Sequence, residues 1–398
     1  MHVTHLSLTD FRNYARAEVP LQSGANLFVG SNGQGKTNLV EALGYLSTLT
    51  SHRVTIDTAM IRQGCDSAVV RARVAHAGRE LSLEVQLNRA SANRAQVNRG
   101  VIKPRELPRY FSSVLFAPED LALVRGEPSV RRRFLDQLLV QRAPRLAGVL
   151  TDYDRVLKQR NSLLKSARAA GVRGAQLTTL EIWDERLVDL GSQIIDARLA
   201  LVDDLADPVR SAYRSVAGDD HHPVLVPQLS IHGAALDDEV TAAAPAVVTG
   251  DVPARVAGGA PSVATAEQFR AALAGLRRRE LERGITLAGP HRDDVAFELN
   301  GLPAKGYASH GESWSFALAL KLASAHLLRA ESAGGDPVIV LDDVFAELDQ
   351  NRRRMLAEAI SDYEQVLITA AVFEDVPDAL TANTVRIRAG AVVEEGDE

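Results

Sequence analysis

The chain has a single cysteine, Cys65. One thiol excludes internal disulfides and any CxxC zinc clasp, and it suits a reducing cytoplasm. No apolar run is long enough to span a bilayer. Met1-His2-Val3-Thr4-His5 lacks the basic n-region and apolar h-region of a secretory signal, so a cytoplasmic place without membrane attachment is expected. Excess positive charge is also missing. The net charge of −6 argues against a uniformly basic coat for nucleic acid, although a local basic patch remains compatible with it. No internal repeat is found. What remains is an ordinary globular composition, 46% hydrophobic and 24% charged over 398 residues, with room for two domains and a sizeable core.

The stretch with the most chemistry is Gly30–Thr37. Gly30-Ser31-Asn32-Gly33-Gln34-Gly35-Lys36-Thr37 fits G-x-x-x-x-G-K-[ST] at every fixed position. Apolar Leu27-Phe28-Val29 precedes it as a short buried strand, and Asn38–Leu43 follows with helical character, so the loop lies at a strand-to-helix junction. Glycines let the backbone turn its N–H groups toward phosphate oxygens, and the helix N-terminus adds unpaired donors and a positive dipole end. Lys36 can reach the β- and γ-phosphates, and the Thr37 hydroxyl can ligate Mg²⁺. ATP with Mg²⁺ is the expected cofactor. The bland alternative is a plain strand–helix connector.

Around this loop the chain reads as α/β. Residues 2–8 alternate like an edge-type strand, and a turn at Gln22-Ser23-Gly24 leads into the P-loop strand. Residues 67–76 and 80–88 alternate cleanly about Ala77-Gly78-Arg79, a hairpin signal. Asn93–Lys103 turns at Asn98-Arg99-Gly100, and Val114-Leu115-Phe116 is a short buried strand. From Arg125 the pattern becomes helical: Glu127–Arg142, then Arg145–Ala170, whose apolar stripe is interrupted by Arg160. Gly171-Val172-Arg173-Gly174 breaks that helix. A third helix follows, with Leu180, Trp183, Leu187, Leu190, Ile194, Ala197 and Leu201 on an a/d seam. Helices joined by a short break predict an antiparallel hairpin. Val224–Ile231 resembles a strand, 233–264 reads as a mobile Ala/Pro/Gly-rich loop, and Thr265–Arg283 is helical. Residues 295–299 form a strand before the Asn300-Gly301 turn. The expected organisation is a discontinuous head, 1–124 and 284–398, with an inserted, mainly helical arm at 125–283.

Two further motifs lie downstream. Val338-Ile339-Val340-Leu341-Asp342-Asp343 suits a buried parallel strand with carboxylates at its C-terminal end, where open α/β sheets bind ligands. In this Walker B arrangement Asp342 would hold Mg²⁺, and Asp343 would position or activate the attacking water. Ser309-His310-Gly311-Glu312 opens a long, mostly buried helix through Glu331. Such an end is either a second phosphate-binding helix terminus, most useful toward another subunit's nucleotide, or a plain N-cap. The order P-loop, long interval, S-x-G-E helix, Walker B and Glu347-Leu348-Asp349 resembles the head of ATP-binding-cassette ATPases. In that resemblance Ser309 and Gly311 would meet the γ-phosphate across a dimer whose seam holds Leu348-Asp349. Asp343 stands where most such ATPases carry Glu, and Thr369 where a switch His is common, which implies slow hydrolysis. Apart from these acids no acidic cluster suggests a nuclease. His291-Arg292-Asp293 lacks the Asn a kinase loop needs, because Glu298 is there instead.

Taken in order, Phe11-Arg12-Asn13-Tyr14, GSNGQGKTNLVEAL, Ser51-His52-Arg53, Ala117-Pro118-Glu119-Asp120-Leu121, Arg131-Arg132-Arg133-Phe134-Leu135-Asp136, Gly289-Pro290-His291-Arg292-Asp293-Asp294, Leu318–Ala323 and LDDVFAELD resemble the bacterial RecF family of replication and repair proteins. The match runs from about Leu8 to about Thr369 and weakens in 233–264. It implies a P-loop, SMC-like ABC-type head with a helical arm. It also implies ATP-dependent homodimerisation on DNA at single-strand/double-strand gap junctions, recombinase loading with RecO and RecR, a part in normal SOS induction, and weak DNA-dependent ATPase activity. By analogy with SMC-type heads, Arg12 would contact the nucleotide.

Two basic stretches bear on DNA: Arg89, Arg94, Arg99, Lys103, Arg105 and Arg109, and, along the arm, Arg131-Arg132-Arg133, Arg142, Arg145, Arg155, Lys158, Arg160, Lys165 and Arg168. Neither is interleaved with aromatics, so sequence-independent backbone contact is expected; the alternative is solvated helix faces. Competing readings are a cassette ATPase acting on a protein partner and a structural SMC-like dimeriser with vestigial hydrolysis.

Overall fold

The computed structural model describes residues 1–170, 178–233, 262–332, 334–388 and 390–393. The break expected at 171–174 and nearly all of the loop expected at 233–264 lie outside them. The chain forms two compact units: Met1–Val124 with Asp207–His221 and Ala308–Glu398, and Arg125–Ala206 with His222–Tyr307.

The first unit holds two six-stranded sheets. One has the order Ala391–Val393, Asn383–Arg388, Gly24–Val29, Gln365–Ala370, Val338–Asp342, Ser113–Phe116. Four of its five strand pairs are parallel, and only the pair of Asn383–Arg388 with Ala391–Val393 is antiparallel. Val338–Asp342 and Gln365–Ala370 are buried at every position, as unbroken apolar runs in a covered parallel sheet require. The ladders Ile368↔Leu27 and Leu341↔Ile368 bring the ends of the P-loop strand and the acidic strand to the same edge. The helix Lys36–Thr48 leaves that edge and ends at Leu49 in a left-handed conformation.

The second sheet is antiparallel, in the order Tyr14–Pro20, His2–Phe11, Ser67–His76, Arg79–Asn88, Arg94–Val97, Gly100–Ile102. Its hairpins turn at Ala77-Gly78 and Asn98-Arg99, all four residues with positive φ. One expectation is corrected here. His2–Phe11 is interior, paired on both sides by Tyr14–Pro20 and Ser67–His76, and Tyr14–Pro20 is the edge. The alternation in residues 2–8 reports one buried face; it carries no information on how many neighbours a strand has.

The second unit is mainly helical: Pro128–Arg142, Leu146–Ala169, Thr178–Ala217 as far as Ala206, and Val263–Arg283. It also holds a three-stranded antiparallel sheet, Leu302–Pro303, Asp294–Leu299, Val224–Gln228. Asp294–Leu299 therefore packs with this unit, and the expected boundary at 284 gives way to one near 307. The ladder Asp294↔Gln228 to Glu298↔Val224 pulls the strand there, a pairing across more than sixty residues that local pattern does not reveal. The third helix likewise runs beyond Leu201 to Ala217, and its residues from Asp207 belong to the first unit.

Arg160 does not interrupt the packing of its helix; it is fully buried. Its guanidinium donates to Asp184 Oδ1 at 2.7 Å, Thr286 Oγ1 at 2.8 Å and Glu280 Oε2 at 2.6 Å. Nearby, His291 Nδ1 meets the Tyr153 hydroxyl at 2.8 Å, and its Nε2 lies 3.3 Å from Thr286 O. Enclosure holds this imidazole neutral, with its pKa pushed down to about 3. The unfolded chain takes up the proton near pH 6.5 and the folded chain does not, so stability falls as pH drops below 6.5 toward 3. Between pH 7 and 5 this one group accounts for about 2 kcal/mol of lost stability. In His291→Gln, urea unfolding at the two pH values is expected to lack that increment.

Candidate functional site

The P-loop geometry follows from its glycines. Gly35 has φ 112°, and a Cβ there would lie 2.8 Å from Asn13 Nδ2 and from the Tyr14 hydroxyl. A Cβ on Gly30 would lie 2.3 Å from Ile387 O. The loop is therefore pressed between the Asn13-Tyr14 turn and the Asn383–Arg388 strand, and only glycine fits at both points. Tyr14 Oη donates to Gly35 O at 3.1 Å, Asn13 Nδ2 to Gln34 O at 3.2 Å, and Gly390 N to Gln34 O at 3.0 Å. Ser31, Asn32 and Gly33 are exposed or partly so at the open side of the turn.

Lys36 is buried, and its ammonium donates to Gly30 O at 2.7 Å and Ser31 O at 3.2 Å. Thr37 Oγ1 donates to Asp342 Oδ1 at 2.9 Å, bridging positions 305 residues apart. Thr369 Oγ1 donates to the same oxygen at 2.6 Å, so the residue in place of a switch His serves as a clamp on the acid. Asp343 follows with a left-handed backbone, φ 52°. Its N–H donates to Thr369 Oγ1 at 2.9 Å, and its buried Oδ1 has no hydrogen-bond partner. Burial pushes the Asp343 carboxyl up; the Lys36 ammonium opposes this and the Asp342 charge adds to it. Thr37 and Asp342 are hard oxygen donors side by side, a set that suits Mg²⁺. A buried lysine resting on carbonyls and an orphaned carboxylate oxygen are the groups a triphosphate and its attacking water would engage.

Arg12 sits one residue before the Asn13-Tyr14 contact with the loop. Its Nε and Nη2 grip the buried Glu41 carboxylate at 2.8 and 2.6 Å, and Nη1 donates to Ala59 O at 3.1 Å. The expected nucleotide contact therefore starts from a side chain already braced on the P-loop helix. Glu41, Asn13, Tyr14, His52 and Thr369 complete the surroundings. The sequence marks Thr369 as the switch position and places Asn13, Tyr14 and His52 inside motifs, but their contacts with the site depend on partners distant in sequence.

Ser309 and Gly311 have a separate set of neighbours. Ser309 caps the helix His310–Glu331 in a capping box: Glu312 N donates to Ser309 Oγ at 3.2 Å, and Ser309 N donates to Glu312 Oε2 at 2.7 Å. The Ser309 bonds hold the Glu312 carboxyl below its usual range. A Cβ on Gly311 would lie 2.8 Å from an Arg352 guanidinium nitrogen, and Arg352 is tied to Ser315 and Asp349. The N-cap reading of Ser309 is thus realised, and none of these neighbours belongs to the Gly30–Thr37 loop.

The basic stretches divide. Arg89, Arg94, Arg99, Lys103, Arg105 and Arg109 are exposed, although Arg89 donates to Cys65 O and Ile61 O. In the other stretch, Arg131 is buried in a bidentate pair with Asp294, Arg160 is buried, and Arg142 pairs with Asp204. Those three hold the second unit together. Arg133, Arg145, Arg155, Lys158, Lys165 and Arg168 remain exposed. Among the described residues, no helix is long and apolar enough to cross a membrane.

A parallel sheet with a P-loop at one strand end, a Walker B pair beside it and a capped S-x-G-E helix defines an ABC-type, SMC-like ATPase head. Comparison with known proteins agrees. The model of the RecF/RecN/SMC N terminal domain matches residues 2–391. The chain is 69% identical to the DNA replication and repair protein RecF of Leifsonia xyli subsp. xyli, over 99% of this chain and 100% of that protein. It is 50% identical to the Streptomyces avermitilis protein of the same name, over 98% and 99%. Among solved structures, the recombination mediator protein RecF–ATP in the RecFOR pathway aligns with TM-score 0.83 at 26% identity, covering 98% of this chain and 97% of that one. The Smc head bound to the C-terminal winged-helix domain of ScpA shares the fold, with TM-score 0.50 and 13% identity over 98% and 96%. The chain belongs to the RecF family of bacterial DNA replication and repair proteins.

Proposed function

We propose that this chain is an ATP-driven DNA-binding switch of recombinational repair and replication, closing as a homodimer around ATP and opening on slow hydrolysis. The observation that carries this reading is the meeting of Thr37 and Asp342 across 305 residues, with Lys36 and Asp343 beside them. Gly30 to Thr37 would wrap the phosphates with backbone N–H groups, and Lys36 would leave the Gly30 and Ser31 carbonyls for the β- and γ-phosphate oxygens. Thr37 and Asp342 would hold Mg²⁺, which, when bound, neutralises charge on the β- and γ-oxygens. Asp343 orients the attacking water and takes its proton as the water oxygen bonds to the γ-phosphorus and the bond to the β,γ-bridging oxygen breaks. A carboxyl already raised by burial is a better proton acceptor, while the short Asp side chain and the missing switch His keep turnover slow. Arg12 acts at the nucleotide from its brace on Glu41.

Ser309 and Gly311 of a second copy would complete the phosphate shell, since a capped helix end with one serine hydroxyl suits a γ-phosphate. The exposed cations at 89–109 and 133–168 support contact with the DNA backbone. Membership of the RecF family supports gap junctions as the preferred DNA, RecO and RecR as partners in recombinase loading, a part in SOS induction, and a cytoplasmic setting.

Light-scattering mass with and without ATP and Mg²⁺, repeated with gapped duplex DNA at two salt concentrations, tests this. A monomer-to-dimer shift with salt-sensitive DNA capture is expected. Dimerisation without DNA capture would favour a protein partner. Ser309→Arg is expected to bind ATP as a monomer and to lose ATP-induced dimerisation; a variant that still dimerises removes Ser309 from the interface.

A further inference from the structure

The Asp342 carboxylate is held on one side only. Oδ1 accepts from Thr37 and Thr369 at 2.9 and 2.6 Å. Oδ2 faces His52 Nε2 at 3.5 Å. That separation is too long for a good hydrogen bond and too short for a water to lie between the two atoms, but a water beside the pair is within reach of both. His52 Nε2 is buried and has no hydrogen-bond partner. Such an atom is costly to leave unpaired, and a native protein usually has a use for it. The Thr369 hydroxyl cannot serve the second oxygen, since it already donates to Oδ1 and accepts from Asp343 N.

The position of His52 is fixed by the turn that carries it. Ser51 Oγ donates to the buried Glu41 and accepts from Arg53 N at 3.0 Å and Val54 N at 3.1 Å. Arg53 Nη1 donates to Asn38 Oδ1 at 2.9 Å. Residues 51–54 are thus pinned to the helix that begins at Lys36, and the imidazole is delivered to the open side of Asp342 from the far end of that helix.

We infer that His52 is a positioning residue for the divalent cation: His52 Nε2 and Asp342 Oδ2 together hold one of the waters of nucleotide-bound Mg²⁺. The inference rests on the ATP-binding reading above. An outer-sphere role follows from the chemistry, because Mg²⁺ prefers oxygen ligands and keeps several waters, so an imidazole nitrogen is suited to its hydration shell and poorly suited to its first shell. Residues that orient a metal's ligands in this way typically set metal affinity by about 10- to 100-fold.

The test is a Mg²⁺ titration of ATP binding by the full chain, followed with a fluorescent ATP analogue, beside the same measurement in EDTA. His52→Ala is expected to raise the half-saturating Mg²⁺ concentration about 10-fold or more while leaving analogue affinity in EDTA within about twofold of wild type. His52→Phe, which fills the space without a polar atom, should show the same increase, and His52→Gln should recover part of it. A melting temperature without nucleotide checks that each variant is folded. An unchanged Mg²⁺ midpoint in folded His52→Ala or His52→Phe overturns the inference, as does an equal loss in EDTA, which would make His52 a support of the pocket. Wild-type protein that binds no nucleotide at all would overturn the ATP-binding reading itself, a result separate from either of these.

Discussion

Lys36→Ala is expected to lose ATP binding by roughly 100-fold or more. The ammonium would make charge-assisted hydrogen bonds to two phosphate groups, each about 1.5–3 kcal/mol, and every 1.4 kcal/mol is about tenfold in affinity. Turnover and ATP-induced dimerisation should vanish with it. The nucleotide-free protein should also be less stable, because the Gly30 and Ser31 carbonyls now paired with Lys36 Nζ lose a buried donor; an unsatisfied buried group costs about 1–3 kcal/mol. Calorimetric titration with ATP and Mg²⁺, paired with a melting curve, reads both effects. Affinity within threefold of wild type would mean that Lys36 stays on the loop carbonyls when nucleotide arrives. If dimerisation survived while turnover disappeared, the chain would be a structural dimeriser in which hydrolysis is vestigial.

The largest effect on stability is expected at Arg160. Three hydrogen bonds to Asp184, Thr286 and Glu280 satisfy a guanidinium with no solvent exposure. Glu280 also accepts from Leu287 N at 2.8 Å, Asp184 also accepts from Arg277, and Thr286 is held by Asn161. Arg160→Ala leaves the Glu280 carboxylate buried with no cation, a change that typically costs about 3–5 kcal/mol. Arg160→Met should be almost as damaging, for the same reason. Arg160→Met combined with Glu280→Met removes both charges and should recover much of the loss. Urea unfolding of wild type, Arg160→Met, Glu280→Met and the double variant forms a double-mutant cycle. A loss below about 1 kcal/mol in Arg160→Ala would show that water reaches the vacated space and solvates the acids.

Several expectations depended on residues close together in the chain, and these were legible. The Gly30–Thr37 turn, the hairpins at Ala77-Gly78 and Asn98-Arg99, and the Ser309 cap with Glu312 three residues on are all set by local backbone preference and short-range hydrogen bonds. The unbroken apolar run Val338–Leu341 announced a buried strand for the same reason. Arg160 was misread as an interruption because a helical stripe shows which residues face inward but not which charges meet them there. Arg131 and Arg142 looked like members of a DNA-facing run, since a charge count cannot see Asp294 or Asp204 opposite them.

The amino-acid sequence by itself determined the class of fold, the phosphate loop, the two acids at the end of a buried strand and the family. Each of these is written in short motifs whose geometry needs no distant partner. Tertiary structure alone decided that His2–Phe11 is an interior strand and that Asp294–Leu299 pairs with Val224–Gln228. It also decided that Thr37, Thr369 and His52 converge on one carboxylate. Those outcomes rest on sheet register and side-chain packing between segments tens to hundreds of residues apart, where the choice among partners is made by burial and complementary charge and leaves no periodic trace in the chain.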